Sequence, residues 1–361
     1  MKKEKVVVGM AGGVDSSVAA FLLKKEGYEV IGVTLNLWNG DGVALTEAGN
    51  ESEGIADARR VAEQLGIAYH VLDFTEQFRN CVIDSFVGEY EVCRTPNPCI
   101  TCNRRIKWEA LLSWAREQGI EKIATGHYAG IVQLDNGRYT IKEAAFTGKD
   151  QSYVLYRLTQ EQLASTLMPL GAYTKEEVRK LAEEAGLHIA EKGDSQDICF
   201  IPDGDYASFI ERYGAKCDSN RPGNFVDRDG NILGKHRGLI HYTIGQRKGL
   251  GLAMGEPVYV MALRPATNEV VIGKNEDLFD RRLSLSEVNC MGLAQWKEPF
   301  RCMAKIRYAH KGAECLVTPT GADTASVLFD EPQRAATPGQ SVVFYQTKDH
   351  MRYVLGGGII V

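Results

Sequence analysis

Over its first 150 residues the chain alternates short apolar runs with amphipathic ones, and that order leaves few folds open. KVVVGM reads as a strand and SSVAAFLLKKEG as a helix stopped by Gly27. YEVIGVTLNLW and IAYHVLDF are strands on either side of DARRVAEQLG, where Ala58, Val61, Ala62 and Leu65 share one helical face. KWEALLSWAREQG adds a helix and EKIATGHYA a strand. Strands separated by helices pair in parallel and need cover on both faces. The expected fold class is α/β, a doubly wound and mostly parallel sheet. Before DARRVAEQLG lies GDGVALTEAGNESEG, a polar, glycine-rich insertion read as a mobile surface loop.

Further along, the period changes. RLTQEQLASTLMPLG and TKEEVRKLAEEAG read as two more helices, the second opening on a capping box of Thr174 and Glu177. HIAEKGDSQDICFIP is a loop. Past about residue 205, GNFVDRDGNILGKHRG sets short β runs and turn residues in place of long helices. From about residue 280 onward, FRCMAKIRY, AECLVTPT, ASVLFD, SVVFYQ and MRYVLGGGIIV predict a small barrel or sandwich. A chain of 361 residues suits two or three such domains. VVVGM, the longest apolar run near the N-terminus, is far too short to span a bilayer, so no membrane partner is expected and the cytoplasm is the expected compartment. A net charge of −5 gives no chain-wide cationic field, which leaves NRRIKW, GKHRG and GQRKG as local basic runs for an RNA backbone.

VVVGMAGGVDSSVAA sits where a parallel sheet places its ligand, at the end of a strand and the start of a helix. Gly9, Gly12 and Gly13 let the backbone approach an anion, Ser16 and Ser17 add hydroxyls, and the helix start offers unpaired N–H groups. The pattern is neither GxGxxG nor GxxxxGK[ST]. It lacks the lysine that reaches the outer phosphates, and it carries Asp15 inside the cradle, which suits phosphates accompanied by Mg²⁺. Gly126, in IATGHYA, ends a later strand on the same carboxyl edge, with His127 and Tyr128 beside it.

The nine cysteines are an odd number with no secretory signal, which argues against a disulfide scaffold. RTPNPCITCNRRIKW carries Cys99 and Cys102, but a structural zinc site needs two more ligands. The chain has neither a second CxxC nor grouped histidines. Cys199 lies in the acid-rich loop GDSQDICFIP and is more available than Cys302 and Cys315, which read as β core. Arg104, Arg105 and Lys107 favour a thiolate at Cys102 where the fold brings them close. A thiolate there can attack an activated carbon, carry sulfur, or close a disulfide on a second cysteine.

AGGVDSS is similar to the SGGVDSS signature of PP-loop ATP pyrophosphatases. Taken in order with PNPC…CN, ATGHYA, GKDQSYVLYRL, GDSQDICF, HYTIGQRKGL and PGQSVVFY, it makes essentially the whole chain resemble the bacterial tRNA-specific 2-thiouridylase family. The resemblance implies an adenine nucleotide alpha hydrolase-like PP-loop catalytic domain at 1–160 plus 190–204. It implies a small central tRNA-binding region at 161–189 plus 205–278, and a C-terminal β-barrel at 279–361. The implied activity is ATP-dependent 2-thiolation of the wobble uridine of glutamine, glutamate and lysine tRNAs. The C2 oxygen is adenylated, and sulfur from a cysteine persulfide displaces it, releasing AMP and pyrophosphate.

By the same resemblance, Gly9, Met10, Ala11, Gly12, Gly13, Val14, Asp15 and Ser16 hold ATP and its Mg²⁺, with Leu35 and Gly126 at the adenine. Cys199 receives the persulfide, and Cys102 is the nucleophile or resolving partner that forms a transient disulfide with it. Asn97, Pro98 and Cys99 meet the target base. His127, Lys149, Asp150, Gln151, Arg307, Tyr308 and Gln340 contact tRNA. A cysteine desulfurase or sulfur-relay protein is the implied sulfur donor.

Two positions depart from the family pattern. Ala11 stands where a serine usually opens the loop, so ATP binding should be weaker or slightly altered rather than lost. Cys99 stands where well-known members carry aspartate. That exchange raises an alternative in which Cys99, Cys102 and Cys199 hold a [4Fe–4S] cluster with one iron open to sulfide.

Overall fold

The computed structural model describes residues 3–38, 52–193, 198–214 and 218–361. Most of the polar insertion expected as a mobile loop, residues 40–51, therefore lies outside the described residues, as do 194–197 of the loop before Cys199.

Strands β1 (Lys5–Gly9), β2 (Glu29–Asn36), β3 (Ala68–Asp73) and β4 (Lys122–Ala124) run parallel, with helices α1 (Val14–Lys25) and α2 (Glu53–Leu65) between the first three. The chain then makes a hairpin of β5 (Ala129–Gln133) and β6 (Tyr139–Glu143) before β7 (Thr166–Leu167) returns to pair beyond β4. The resulting order is β3–β2–β1–β4–β7. Val6 and Val8 face a core shared with Val18, Leu22 and Leu23 of α1, while Val7 faces Trp108, Leu111 and Leu112. Burial of both faces explains why β1 is a continuous apolar run. The chain moves outward from β1 to β3 and then crosses back to β4. That reversal opens a crevice at the carboxyl ends of β1 and β4, where doubly wound sheets take ligands.

Two expectations are corrected by this packing. RLTQEQLASTLMPLG is helical only over Gln160–Ala164, because Thr166 and Leu167 leave the helix to pair with β4 and Pro169 follows. The segment 161–189, grouped above with the central region, packs on the first sheet: Val178, Ala182, Leu187 and Ile189 join the core around α1. The helix Lys175–Glu184 carries the expected capping box of Thr174 and Glu177.

The central sheet is small, with β8 (Gly223–Val226), β9 (Ile232–His236), β10 (Tyr259–Arg264) and β11 (Glu269–Gly273) in the order β10–β11–β8–β9. Its β8–β9 turn is held by Asp227, which accepts from the backbone of Asp229 and Asn231 and from the Asn231 side chain. Six further strands follow: β12 (Phe279–Cys290), β13 (Phe300–Lys305), β14 (Ala313–Pro319), β15 (Ala325–Arg334), β16 (Ser341–Lys348) and β17 (Met351–Ile360). They close into a barrel through the β12–β17 pairing. Cys302 and Cys315 lie opposite one another inside it, as core residues.

The β5–β6 hairpin joins the barrel to the first domain. Arg138 donates to the carbonyls of Met291 and Cys290, and Tyr353 pairs with Lys142. Beneath it, Lys305 lies 3.0 Å from Glu143 and 3.9 Å from Asp150, and Arg352 lies 3.3 Å from Glu143. The two carboxylates are only 8% and 4% exposed. Removing Lys305 takes away the cation beside buried Asp150 and leaves Glu143 with Arg352 alone, so Lys305→Met should cost about 3–5 kcal/mol. The loss should appear as a lower urea midpoint and be partly recovered by adding Glu143→Gln. An unchanged midpoint would show that solvent already screens the cluster.

Candidate nucleotide and cysteine site

The turn between β1 and α1, expected to cradle phosphates, is built from backbone. Gly13 caps α1 without any side-chain bond to the helix, which leaves the first N–H groups of α1 facing the crevice. Gly12 has a φ of +70°, and a Cβ on it would meet the carbonyl oxygen of Gly54 at 2.1 Å. The turn therefore crosses the start of α2 at a distance only glycine allows. Gly126 is equally constrained: a Cβ there would lie 2.6 Å from the Ser16 nitrogen. Ser16 and Ser17 donate to the Gly13 carbonyl, and the Ala11 N–H donates to the Ser16 hydroxyl. Met10 is fixed from both sides, its N–H on Val33 and its carbonyl accepting from Thr34. Val14 is buried in the core, so only its main chain is available to a ligand.

Leu35 lies at the carboxyl end of β2, paired with Leu72. Beside it Asn36 is 4% exposed, and its Nδ2 has no partner among the described residues. A buried orphan donor on the ligand edge fits an acceptor such as a purine nitrogen. Asp15 is held by two groups that sequence reading did not pair with it. Lys175 Nζ lies 2.6 Å from Oδ1, and the Tyr128 hydroxyl donates to the same oxygen at 2.7 Å. Among the described residues no three His, Cys, Asp or Glu side chains are grouped to hold a metal. A single carboxylate at the cradle fits Mg²⁺, which takes most of its ligands from phosphates and water.

The cysteine segment starts with a local cap. Asn97 accepts the Cys99 N–H at 3.2 Å, and Pro98 occupies the first helical position. The helix Pro98–Cys102 continues through a π turn over Asn103–Trp108 into Glu109–Glu117. Cys99 and Cys199 are exposed, whereas Cys102 is 5% exposed. Phe200 and Ile201 anchor Cys199 from below, in the same apolar cluster as Cys102, Phe86 and Phe209.

Burial pushes the Cys102 thiol up to about 12; Lys107 opposes the shift, and Cys199 and Cys99 add to it. Cys199 is raised too, by the protein around its sulfur and by Cys99, with Lys107 again opposing. The three thiols and Lys107 thus lie within electrostatic reach of one another. The expected thiolate at Cys102 is corrected for this conformation: desolvation outweighs Lys107, and Arg105 pairs with Glu109 instead. Both cysteines are free thiols here. Among the described residues, Cys99, Cys102 and Cys199 are not grouped as a metal-ligand set.

The expected RNA contacts divide into two kinds. Lys149 is exposed, and Tyr308 is 49% exposed with its hydroxyl on the Asp150 carbonyl. Asp150 itself is buried, accepting from Ala144, from the Ser152 N–H and from the Ser152 hydroxyl, so its side chain shapes the loop. Gln151 accepts the Tyr128 N–H, Arg307 donates to the Arg334 carbonyl, and Gln340 donates to the Thr95 carbonyl. His127 rests against Trp108 and bonds Thr125; burial, then Lys107, keeps its ring neutral. A cleft of about 470 Å³ runs between the cysteine segment and the barrel, lined by Asn97, Arg104, Arg105, Arg157 and Ser341. Arg157 had no local signal, since it sits in an apolar stretch before a short helix.

Comparison with known proteins agrees with this division of the chain. Residues 4–203 match the tRNA methyl transferase HUP domain family, 207–274 the tRNA methyl transferase PRC-barrel domain, and 280–360 the Aminomethyltransferase beta-barrel domain. The chain is 53% identical to the tRNA-specific 2-thiouridylase MnmA of Lachnoclostridium phytofermentans, covering 99% of each. It is 49% identical to that of Clostridioides difficile, over 99% of this chain and 98% of the other. Among solved structures, a 4-thiouridine synthetase–RNA complex with bound ATP aligns with a TM-score of 0.36 at 16% identity, over 58% of this chain and 50% of that one, too slight a likeness to argue from. The chain belongs to the tRNA-specific 2-thiouridylase family.

Proposed function

We propose that the protein replaces the C2 oxygen of the wobble uridine in glutamine, glutamate and lysine tRNAs with sulfur, at the expense of ATP. The observation that carries this reading is the position of Trp108. It lies against His127, ring centroids 5.2 Å apart, at the end of the helical run that carries Cys99 and Cys102. His127 directly follows Gly126, which touches the phosphate cradle at Ser16. These contacts support a reading in which the glycine turn and the cysteines act on one substrate.

The chemistry then runs in two displacements. The uridine C2 oxygen attacks the α-phosphate, and the bond to the β-phosphate breaks to release pyrophosphate. The terminal sulfur of a Cys199 persulfide next attacks C2, and AMP leaves. Cys102 attacks the Cys199 sulfur, giving a Cys102–Cys199 disulfide and freeing 2-thiouridine; a thiol reductant resets the pair. Asn97 and Cys99 meet the base, with the buried Pro98 fixing the start of the helix between them. The exposed Lys149 and Tyr308 and the arginine-lined cleft take the RNA backbone. A cysteine desulfurase or relay protein supplies the persulfide.

Incubation with ATP, Mg²⁺, a persulfide donor and unmodified tRNA should yield AMP and 2-thiouridine in equal amounts, and Cys199→Ser should make no 2-thiouridine. ATP turnover that leaves tRNA unthiolated would reject the proposal. Differential alkylation tests the thiol environments. At pH 8, iodoacetamide should label Cys99 and Cys199 well before Cys102, because Cys102 is buried and stays protonated until about pH 12. Its neutral form favours the fold below the ordinary value of 9.0, and that contribution fades as pH rises from there toward about 12. Rapid labelling of Cys102 at pH 8 would contradict the burial argument. Finally, Ala11→Ser should restore one hydroxyl to the cradle. Calorimetric ATP affinity should rise by up to about tenfold, the size of one hydrogen bond.

A further inference from the structure

We propose that Lys175 is the cation of the phosphate site, and that it binds the pyrophosphate portion of ATP. The inference rests on the ATP-dependent reading above and adds to it a residue that the strand–helix turn does not contain. That turn offers backbone N–H groups and hydroxyls but no basic side chain between Gly9 and Ser17. The fold brings one from elsewhere: Lys175 Nζ sits 2.6 Å from Asp15, on a side chain only 11% exposed.

Its place in its own helix argues against a purely local role. Lys175 is the first residue of the helix Lys175–Glu184, where the helix dipole disfavours a positive charge. The two residues after it, Glu176 and Glu177, have the sign that this position favours. The capping box at Thr174 already starts the helix, so the lysine is not needed to begin it. What the lysine does meet is a carboxylate fixed in place by the Tyr128 hydroxyl, in the first turn of α1.

An acid alone in an anion cradle repels phosphate. Paired with Lys175, the cradle becomes locally neutral and can accept a polyanion. The ammonium is a compact charge on a flexible stem, so a shift of an ångström or two exchanges the carboxylate oxygen for a phosphate oxygen. During adenylation the electron pair of the broken α–β bond passes to the departing pyrophosphate. A cation held beside it stabilises that growing charge.

The test compares ligands that differ only in the phosphates they carry. Binding of AMP, ATP and inorganic pyrophosphate, each with Mg²⁺ and without tRNA, is measured calorimetrically for the wild type, Lys175→Met and Lys175→Arg. Lys175→Met should bind ATP and pyrophosphate about 10- to 100-fold more weakly, as loss of one charge-assisted contact predicts, with AMP unchanged. Lys175→Arg should recover most of the loss. Equal weakening of AMP and ATP would assign the lysine to holding two helices together and overturn the proposal, as would unchanged affinity for all three. If Lys175→Met does not fold, Lys175→Gln and the separate rise in melting temperature with ATP and with AMP give the same comparison. A wild type that binds AMP and ATP alike, with no gain from the outer phosphates, would overturn this contact while leaving the thiolation reading to its own assay.

Discussion

Gly126 touches the first turn of α1 with no room for a Cβ, and much of the molecule is arranged around that contact. It fixes the end of β4 against the start of α1, which is how the crevice between β1 and β4 comes to be lined on both sides. It also sets the two residues that follow. Tyr128 reaches back to Asp15, and His127 leans on Trp108, the buried anchor of the cysteine-bearing helix. Trp108 in turn donates to Thr166 in β7, closing a loop of contacts from the cradle through the cysteine segment to the edge of the sheet. A larger side chain at 126 would disturb the glycine turn and the cysteine-bearing segment together.

The two cysteines Cys199 and Cys102 differ in exposure. Cys199 stands at the surface on an apolar footing of Phe200 and Ile201. Cys102 is shut into the aromatic cluster beneath it, protonated and unreactive. The same cluster includes Phe209 and Ile210 from the helix Tyr206–Tyr213, so the central region contributes directly to the packing around Cys102.

The parts of this design that are local were legible in the sequence. The glycine turn, the apolar strands, the capping box at Thr174, the β8–β9 turn and the alternating strands after residue 280 each depend on neighbours a few positions away. Contacts made at long range were not legible. Nothing near Lys175 announces Asp15, which lies 160 residues earlier, and nothing near Asp150 shows that it will be buried beside Lys305. The helix expected across 157–171 failed for the same reason, because pairing of Thr166 and Leu167 with a distant strand overrides local helical preference. Cys102 was misjudged because neighbouring basic residues are visible in a sequence and desolvation is not.

The π turn at Asn103–Trp108 has a consequence of its own. It wedges one surplus residue into a helical repeat, so everything after it is rotated relative to everything before. Cys102 and Ile106 point into the aromatic cluster, while Asn97, Thr101, Arg104 and Arg105 line the cleft beside the barrel. One short rod thus works like a two-sided key, with a thiol and apolar packing cut on one edge and a cationic cleft on the other. Substitutions on the arginine edge can therefore change the charge of the cleft without touching the packing around Cys102.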